Sequence, residues 1–362
     1  MEGAGTVSWG KLYDYVANML EQGLGYPRAS AAVTAKVLVE ADARGHASHG
    51  VARIKIYHEE VRDGKNDPTA TATVVHETPI SLVMRGNRAP GFPTSGTAME
   101  KTIEKARASG VCMTVVRDSC HFGMAGYWAE MAADAGMIGW AFTNTLRASI
   151  PTFGRERLLG TNPVCVAIPI GRKPHFMLDM ATTTVPLGKI EVAARRDGVI
   201  PVGWAVDEKG VDTTDAVRVA EVNRFDKSPF GGQLFLGGAT ETLGGHKGYG
   251  LGLLVELLTA GLSMGTATFD TYQDGCGICH CFQATRMDVF GDPGEIQSHM
   301  AEILERVRNS PRAAGQERIY IHGEKEYERR EKSIKEGIWL DAATWRRLDE
   351  YAGLWGLARL AP

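Results

Sequence analysis

Apolar residues near the start of the chain recur every three or four positions, which is the period of a helix that packs on one side. The first such series is Leu12, Val16, Met19 and Leu20. Ser8 stands where it can cap a helix that carries this series. A second, Ala-rich helix is predicted over residues 29–43, and Gly45 ends it. The chain is therefore predicted to open with a helical region.

From about residue 77 the pattern changes to short apolar strands that alternate with helices and Gly-rich turns. The predicted strands are "ISLVMRG", "VCMTVV", "IGWAFTN", "NPVCVAIPI" and "HFMLDMA", and the helices between them are "SGTAMEKTIEKARASG" and "AGYWAEMAADAG". A Gly-rich loop, "FGGQLFLGGATETLGGHKGYGLG", leads into an apolar helix that runs to about Met264. The amphipathic segment "ATWRRLDEYAGLWGL" is expected to dock on the N-terminal helices. This alternation predicts the α/β fold class.

The segment "DARGHASHGVARI", residues 42–54, concentrates polar side chains where a third helix is predicted to begin. If that helix starts near His49, His49 and Arg53 share one face, with Cβ atoms roughly 5–6 Å apart. The pair suits a 2-oxo acid, because a guanidinium binds a carboxylate at two points while an imidazole exchanges a proton with the neighbouring oxygen. Ser48 can orient the imidazole or hold the substrate oxygen. In the alternative, Ser48 only caps the helix and the other two residues form a solvated or salt-bridged pair.

Size and charge narrow the class of protein. With 362 residues the chain is long enough for two or three lobes, and 40 Lys and Arg against 43 Asp and Glu give a net charge of -3. No block of like charge favours nucleic acid or an anionic membrane as a partner. No secretory leader is visible, and no apolar run approaches the roughly 20 residues of a membrane helix. Six cysteines fit a reducing compartment, so we expect a cytoplasmic protein with free thiols.

The segment "CGICHC" contains the C-x-x-C-H pattern of c-type haem attachment and half of a zinc site. Haem attachment needs export, and zinc needs a second pair of ligands that the scattered remaining cysteines do not supply. We therefore expect no metal and free thiols. Metal binding through Cys276, Cys279 and Cys281 stays open, and with it a non-enzymatic Cys/His metal-binding protein as an alternative function.

Six motifs in order carry a resemblance to a known family. They are "RGHASHGVARI", "HFGMAGYWAEMAADAGMIGWAFTNT", "LLGTNPVCVAIP", "LDMATTTVPLGKIEVAARR", "GHKGYGLGLLVELLTAG" and "GEKE". From about residue 8 to residue 335 the chain resembles the malate/L-lactate dehydrogenase family. That family also holds sulfolactate, ureidoglycolate and piperideine-2-carboxylate oxidoreductases. The family does not use the Rossmann nucleotide fold, and the chain has no G-x-G-x-x-G motif after a strand.

The resemblance implies an architecture and partners. A non-Rossmann cofactor domain with a mixed sheet is expected over residues 76–299, and a helical domain over residues 1–75 together with 300–362. The expected cofactor is NAD or NADP, since no acidic residue after a nucleotide fingerprint distinguishes them. The expected partners are a small 2-oxo or 2-hydroxy acid and a second copy of the chain, as a homodimer.

For the substrate, the resemblance places Ser48, His49 and Arg53 in the pocket, with His49 as the proton donor. Thr161 matches a further pocket position, or is only a turn residue before a proline. Imine-reducing members carry aspartate where this chain has Lys189, so lysine favours an oxo acid, although it can also be a plain helix-surface residue. His121 is the second candidate for the acid/base residue, and a histidine satisfied within its turn is the alternative.

For the cofactor, the resemblance implies contacts at helix N-termini and strand ends. These positions are His121, Phe122, Gly123, Met124, Ala125, Thr145, Asp179, Met180, Ala181, His246, Lys247, Gly248, Gly323 and Glu324. Asp179 either accepts from a ribose hydroxyl or carboxamide or caps the following turn, and Lys247 either meets the pyrophosphate or is a surface lysine. "HGEKE" has His322 where the family's loop has proline.

Taken together, these features predict an NAD(P)-dependent dehydrogenase of the malate, lactate or sulfolactate type. It would transfer a hydride between nicotinamide C4 and the substrate's C2. Reduction of a cyclic imino acid is the alternative within enzymes.

Overall fold

The structure, a computed structural model, describes residues 4–196, 198–222, 228–271 and 277–361. Its α-helices are α1 Trp9–Asn18, α2 Arg28–Ala43, α3 Ile54–Arg62, α4 Gly91–Ser109, α5 Ala125–Asp134, α6 Leu187–Arg196, α7 Ala216–Val222, α8 Gly245–Glu256, α9 Pro293–Arg308, α10 Glu324–Glu336 and α11 Ala342–Leu354. The helices α1 and α8 each continue into a π-helical turn, at Met19–Gly23 and Leu257–Gly261. The Ser8 side chain accepts a hydrogen bond from the Lys11 backbone N–H, as a cap does.

The strands are β1 Gly5–Val7, β2 Thr73–Thr78, β3 Ser81–Arg85, β4 Val111–Ser119, β5 Met137–Thr143, β6 Ser149–Ile150, β7 Val164–Ile168, β8 Phe176–Met180, β9 Ala205–Val206, β10 Gly232–Leu234, β11 Ile278–Arg286 and β12 Ile338–Leu340. Within the described residues they form a seven-stranded sheet in the order β2-β3-β4-β11-β5-β7-β8, a three-stranded sheet β6-β10-β9 and the pair β1-β12. Only β3 and β4 run parallel in the large sheet, which makes it mixed. The predicted α/β class with a mixed sheet is confirmed.

The register of the large sheet brings several strand ends to one edge. Both β4 and β5 pair antiparallel with β11, so they run in the same direction. Ser119 at the end of β4 lies opposite Ile278, and Thr143 at the end of β5 lies opposite His280. The strand β7 starts beside the end of β5, and its first residue pairs with Met180 at the end of β8. The ends of β4, β5 and β8 and the start of β7 therefore share one edge of the sheet.

The two ends of the chain pack together. The strand β1 pairs with β12, and α11 packs against α3. The His58 ring lies 5.2 Å from the Tyr351 ring and 5.6 Å from the Trp355 ring, measured between centroids. This confirms the expected docking of the final helix on the N-terminal helices. The boundaries of the two domains, at residues 75–76 and 299–300, stay a prediction.

The predicted start of the third helix near His49 is wrong. Ala47–His49 and Val51–Arg53 are two short 3₁₀ turns, and α3 begins only at Ile54. Gly50 between them is extended, with φ −89° and ψ −162°. The Asp42 carboxylate causes this break, because it accepts a hydrogen bond from the Val51 N–H at 2.8 Å.

In the part of the chain that the structure covers, no helix is long and apolar enough to cross a bilayer. The cysteines in those ranges are buried and outside any disulfide: Cys112, Cys120, Cys165, Cys279 and Cys281.

Candidate active site

The shared edge of the sheet collects predicted site residues from four segments. His121 follows the end of β4 by two residues, and Thr145 follows the end of β5 by two. Thr161 precedes β7, and its backbone N–H donates to the Thr145 hydroxyl at 2.9 Å. Asp179 is the residue before the last one of β8. The topology therefore brings together residues that are far apart in sequence.

A group that we call the His49–His121 cluster lies beside this edge and consists of Ser48, His49, Arg53, Tyr57 and His121. The two imidazole rings stack with centroids 5.7 Å apart and planes inclined by 24°. Ser48 Oγ lies 2.9 Å from His49 Nδ1, and Arg53 Nε donates to the Ser48 carbonyl at 2.6 Å. Although His49 and Arg53 do not share a helix, the two turns still bring the imidazoles, the hydroxyl and the guanidinium into one cluster.

Burial and positive charge keep both imidazoles neutral. Burial lowers the pKa of His49 to about 3, and the charge of Arg53 and the proximity of His46 act in the same direction. Burial likewise holds the pKa of His121 well below its usual value, with further contributions from Arg53, His49 and His280. Both rings are therefore neutral at pH 7.

Tyr57 belongs to the cluster, although sequence reasoning missed it. Its hydroxyl lies 3.0 Å from His121 Nδ1, and its ring packs edge-on against Phe92 with centroids 5.5 Å apart. Tyr57 lies four residues after Arg53, which is also the spacing of apolar positions on a helix. The sequence therefore gave no reason to assign this tyrosine to the site.

Asp179 caps a helix and lines a cavity. Its Oδ2 accepts from the Gly126 N–H at 2.7 Å, in the first turn of α5, rather than capping the turn that follows β8. Burial raises the pKa of this carboxyl, while His46 opposes the shift. The cavity has a volume of about 280 Å³, and His46, His322 and Gly323 also line it. A ligand in this cavity would meet a half-buried carboxyl group.

In the turn from His121 to Ala125 most side chains are buried, so the backbone is the part of the turn that a ligand could contact. The Phe122 ring is buried and stacks on His280, with centroids 4.6 Å apart. Gly123 has φ +81°, a conformation that favours glycine. Met124 and Ala125 are buried at the start of α5, so their side chains pack inside the protein.

The predicted residues of α6 and α8 lie apart from the cluster. Lys189 is exposed on α6, and His246 and Lys247 are exposed at the N-terminus of α8. No hydrogen bond or ion pair joins these three to the cluster within the described ranges. Gly248 is buried, and a Cβ there would overlap the backbone of Leu236. This glycine therefore allows α8 to pack closely against the backbone of Leu236 in the same chain.

Glu324 forms hydrogen bonds within the protein that the sequence did not indicate. Its carboxylate accepts from Arg308 Nε at 3.1 Å, from Arg318 Nη2 at 2.8 Å and from the Ile321 N–H at 3.0 Å. These partners hold its pKa below the usual value in spite of burial. Gly323 before it has φ +94°. The observed contacts of Glu324 organise the loop before α10, and its contact with a cofactor stays a prediction, as does that of Gly323.

The "CGICHC" segment belongs to the sheet from Ile278 onward, whereas Cys276 lies outside the described residues. Burial raises the pKa of Cys279 and that of Cys281 to about 12, so both thiols stay protonated. His280 is bound between Ser119 Oγ at 2.9 Å and Thr143 Oγ1 at 2.8 Å. Over the ranges that the structure covers, no group of three or more His, Cys, Asp or Glu is arranged to hold a metal ion.

Comparisons with known proteins agree over nearly the whole chain. A family model described as malate/L-lactate dehydrogenase matches residues 7–349. The chain is 40% identical to a malate dehydrogenase of Pyrococcus abyssi over 94% of this chain and 92% of that protein. It is 36% identical to an L-sulfolactate dehydrogenase of Methanocaldococcus jannaschii over 92% of each. The solved structure of a malate dehydrogenase from Entamoeba histolytica superposes with a TM-score of 0.93 at 31% identity, covering 98% of this chain and 99% of that one.

Proposed function

The chain belongs to the malate/L-lactate dehydrogenase family, and from this premise we propose that the His49–His121 cluster is its catalytic centre. As a member, it is an oxidoreductase that acts on a 2-hydroxy acid. One observation carries the assignment of the site. Two stacked neutral imidazoles and a guanidinium lie together, which is what proton exchange next to a carboxylate requires.

Arg53 binds the substrate carboxylate in this proposal. Its Nε is used by the Ser48 carbonyl, so the two Nη groups serve the substrate. A carboxylate beside Arg53 offsets the positive charge that helps to lower the pKa of His49. Substrate binding therefore raises the proton affinity of His49 when a proton has to be taken up.

His49 moves the proton. In oxidation the neutral ring takes the proton of the C2 hydroxyl, and in reduction it returns a proton to the same oxygen. Ser48 supports both states, because a hydroxyl can accept from or donate to His49 Nδ1. Thr161 is proposed as a further substrate contact from the same sheet edge.

The donor set fits a nicotinamide dinucleotide. The half-buried Asp179 carboxyl lines a cavity of about 280 Å³ and suits a ribose hydroxyl or a carboxamide as donor. Lys247 and His246 stand exposed at the N-terminus of α8, where a phosphate is favoured. We propose the turn 121–125, Thr145, residues 179–181, 246–248 and 323–324 as the binding residues, with NAD and NADP both open. A bound nicotinamide supplies or accepts the hydride at C2 of the substrate.

The proposed substrate is a small 2-hydroxy acid with a second anionic group, such as malate or sulfolactate. The exposed ammonium of Lys189 supports a second anion, and the names of the relatives point to the same class of acid. The lysine also counts against a cyclic imino acid.

The proposed assembly is a homodimer. Exposed leucines follow α8 and its π turn: Leu251, Leu254, Leu257 and Leu262. Large apolar side chains grouped on a surface suit contact with another protein surface. The cytoplasm is the proposed location, supported by the cysteines that form no disulfide among the described residues.

A substrate panel tests the function. Consumption of reduced nicotinamide is followed by absorbance with oxaloacetate, sulfopyruvate, pyruvate, oxalurate and piperideine-2-carboxylate, each with both cofactors. We expect turnover of oxaloacetate or sulfopyruvate, and more slowly of pyruvate. Preference for piperideine-2-carboxylate would contradict the substrate class, and no turnover with any compound would contradict the proposed site.

A further inference from the structure

Tyr57 is a buried residue next to the ring of His121. It lies in the first turns of α3, and only 1% of it is exposed. Its ring packs edge-on against Phe92 and lies 6.1 Å from the His121 ring, measured between centroids. Because the ring is enclosed, the hydroxyl can serve His121 at 3.0 Å without rearrangement.

Two groups meet at the same nitrogen of His121. The Tyr57 hydroxyl lies 3.0 Å from Nδ1, and the Gly123 backbone N–H donates to Nδ1 at 3.4 Å. A backbone N–H can only donate, so Nδ1 has to be the acceptor. The proton of the neutral ring is therefore on Nε2, and the Tyr57 hydroxyl is the second donor.

The protonation states of the surrounding groups support this arrangement. Burial raises the pKa of Tyr57, so the phenol keeps its proton at any working pH. The titratable and charged groups that act on His121 are Arg53, His49 and His280, and all of them oppose a second proton on the ring. His121 is thus a neutral ring with one N–H.

We propose that Tyr57 is a positioning residue that holds His121 as the Nε2–H tautomer, so that His121 donates a hydrogen bond to the C2 oxygen while His49 carries the proton. This inference rests on the proposed function. It divides the work between two adjacent histidines by the chemistry of their partners. Ser48 offers a hydroxyl that accepts or donates, so His49 can gain a proton and keep its partner. At His121 the Gly123 N–H can only donate, so a proton on Nδ1 would lose this partner.

A fixed donor at the C2 oxygen has a catalytic use. Negative charge develops on that oxygen as the hydroxyl loses its proton or as the carbonyl receives a hydride. A preorganised donor stabilises that charge without reorganising, and loss of one such donor costs about 10²- to 10³-fold in kcat in well-studied cases. Tyr57 itself does not touch the substrate in this scheme, so its loss should cost less than the loss of the donor.

The test combines Tyr57→Phe with ¹⁵N NMR of the histidine rings in the enzyme without substrate, with His121 assigned from its absence in His121→Gln. In the wild type, Nδ1 of His121 should resonate as an unprotonated nitrogen and Nε2 as a protonated one. In Tyr57→Phe a share of the Nδ1–H form should be detectable. The kcat should fall about tenfold, with the KM values for substrate and cofactor unchanged.

Tyr13→Phe is the matched control, because Tyr13 stacks on Trp9 in α1 and takes no part in the cluster. It should leave the NMR signals and kcat as in the wild type. A proton on Nδ1 of His121 in the wild type would overturn the inference, even if Tyr57→Phe fails to fold. So would unchanged tautomer signals and kcat in a folded Tyr57→Phe. The NMR result does not depend on turnover, so it is distinguishable from failure of the proposed function.

Discussion

Arg53 is held by its own turn through Nε, which donates to the Ser48 carbonyl at 2.6 Å. Arg53→Lys removes this bond and replaces a two-point fork by a single ammonium. We expect KM for the 2-hydroxy acid to rise about tenfold or more, equivalent to about 1.4 kcal/mol of binding, with a smaller change in kcat. Steady-state kinetics with the preferred substrate measures both.

Arg62→Lys is the control, since Arg62 forms a surface pair with its neighbour Asp63. Its kinetic constants should equal those of the wild type. An unchanged KM in Arg53→Lys would remove the arginine from the substrate site.

His49→Ala removes the group that moves the proton in the proposed reaction. We expect kcat to fall about 100-fold or more, while cofactor affinity, measured by fluorescence titration, stays near normal. Added imidazole should restore part of the activity, because it can replace a missing base. His121→Ala should lose kcat without this rescue. The reverse pattern would exchange the roles of the two histidines.

Most of the side chains in the His49–His121 cluster could be predicted from the sequence. Ser48, His49 and Arg53 were predicted from one short segment, and the structure places them next to one another, while their roles stay a prediction. Tyr57 was not found, because its contact with His121 spans 64 positions and depends on how α3 packs against the turn after β4. Residue type and spacing contain no information about that packing.

Among the elements, the broken turn before α3 shapes the cluster. Gly50 lies so close to Asp42 that a Cβ would overlap the carboxylate. Gly50→Ala should therefore displace the bond between Asp42 and the Val51 N–H. We expect the free energy of unfolding to fall by about 1–3 kcal/mol and kcat/KM to fall with it. Chemical denaturation and steady-state assays measure the two effects.

Gly10→Ala provides the comparison within a helix. Nothing lies within 4 Å of a Cβ at Gly10. This substitution should raise the free energy of unfolding by about 0.5–1 kcal/mol, because alanine suits a helix better than glycine. Equal effects at the two positions would mean that the Asp42 contact does not shape the turn.

The predicted strands and most helices match the structure, since apolar periodicity reflects burial directly. The start of the third helix was wrong for a reason that periodicity does not contain. Asp42 holds the Val51 N–H, and Arg347, from the far end of the chain, donates to the Ala52 carbonyl at 3.1 Å. These tertiary contacts replace the first helical turn.

For the whole molecule, buried neutral histidine makes stability depend on pH. Burial lowers the pKa of His280 to about 3, whereas in the unfolded chain it is near 6.5. The unfolded state therefore binds the proton first, and stability is lost as the pH falls from about 6.5 toward 3, by about 1.4 kcal/mol per pH unit. His280→Gln should reduce the slope of unfolding free energy against pH by about that amount between pH 6 and 4. Urea titrations at several pH values measure it.

His299→Gln is the control for that slope, because the His299 side chain is 75% exposed. It should follow the wild-type curve. A wild-type slope in His280→Gln would mean that this histidine is protonated in the folded protein.

Assembly is a second property of the whole molecule. Leu257, after α8, is 58% exposed, and Leu257→Lys should disrupt a dimer that uses this surface. Light scattering should then give the mass of one chain. Leu354→Lys, at a position 62% exposed at the end of α11, should leave the mass unchanged. A dimeric Leu257→Lys would exclude this surface as the interface.

The order of strands could not be predicted from the sequence, and it has a consequence for biosynthesis. The central position between β4 and β5 is filled by β11, residues 278–286, more than 130 positions later in the chain. While a ribosome is still translating the middle of the message, the nascent polypeptide has two unpaired strand edges, on β4 and β5, in the middle of the large sheet. Those edges are open to aggregation or to a chaperone until the late strand emerges. A premature stop before codon 278 should therefore yield an insoluble fragment rather than a partly active enzyme.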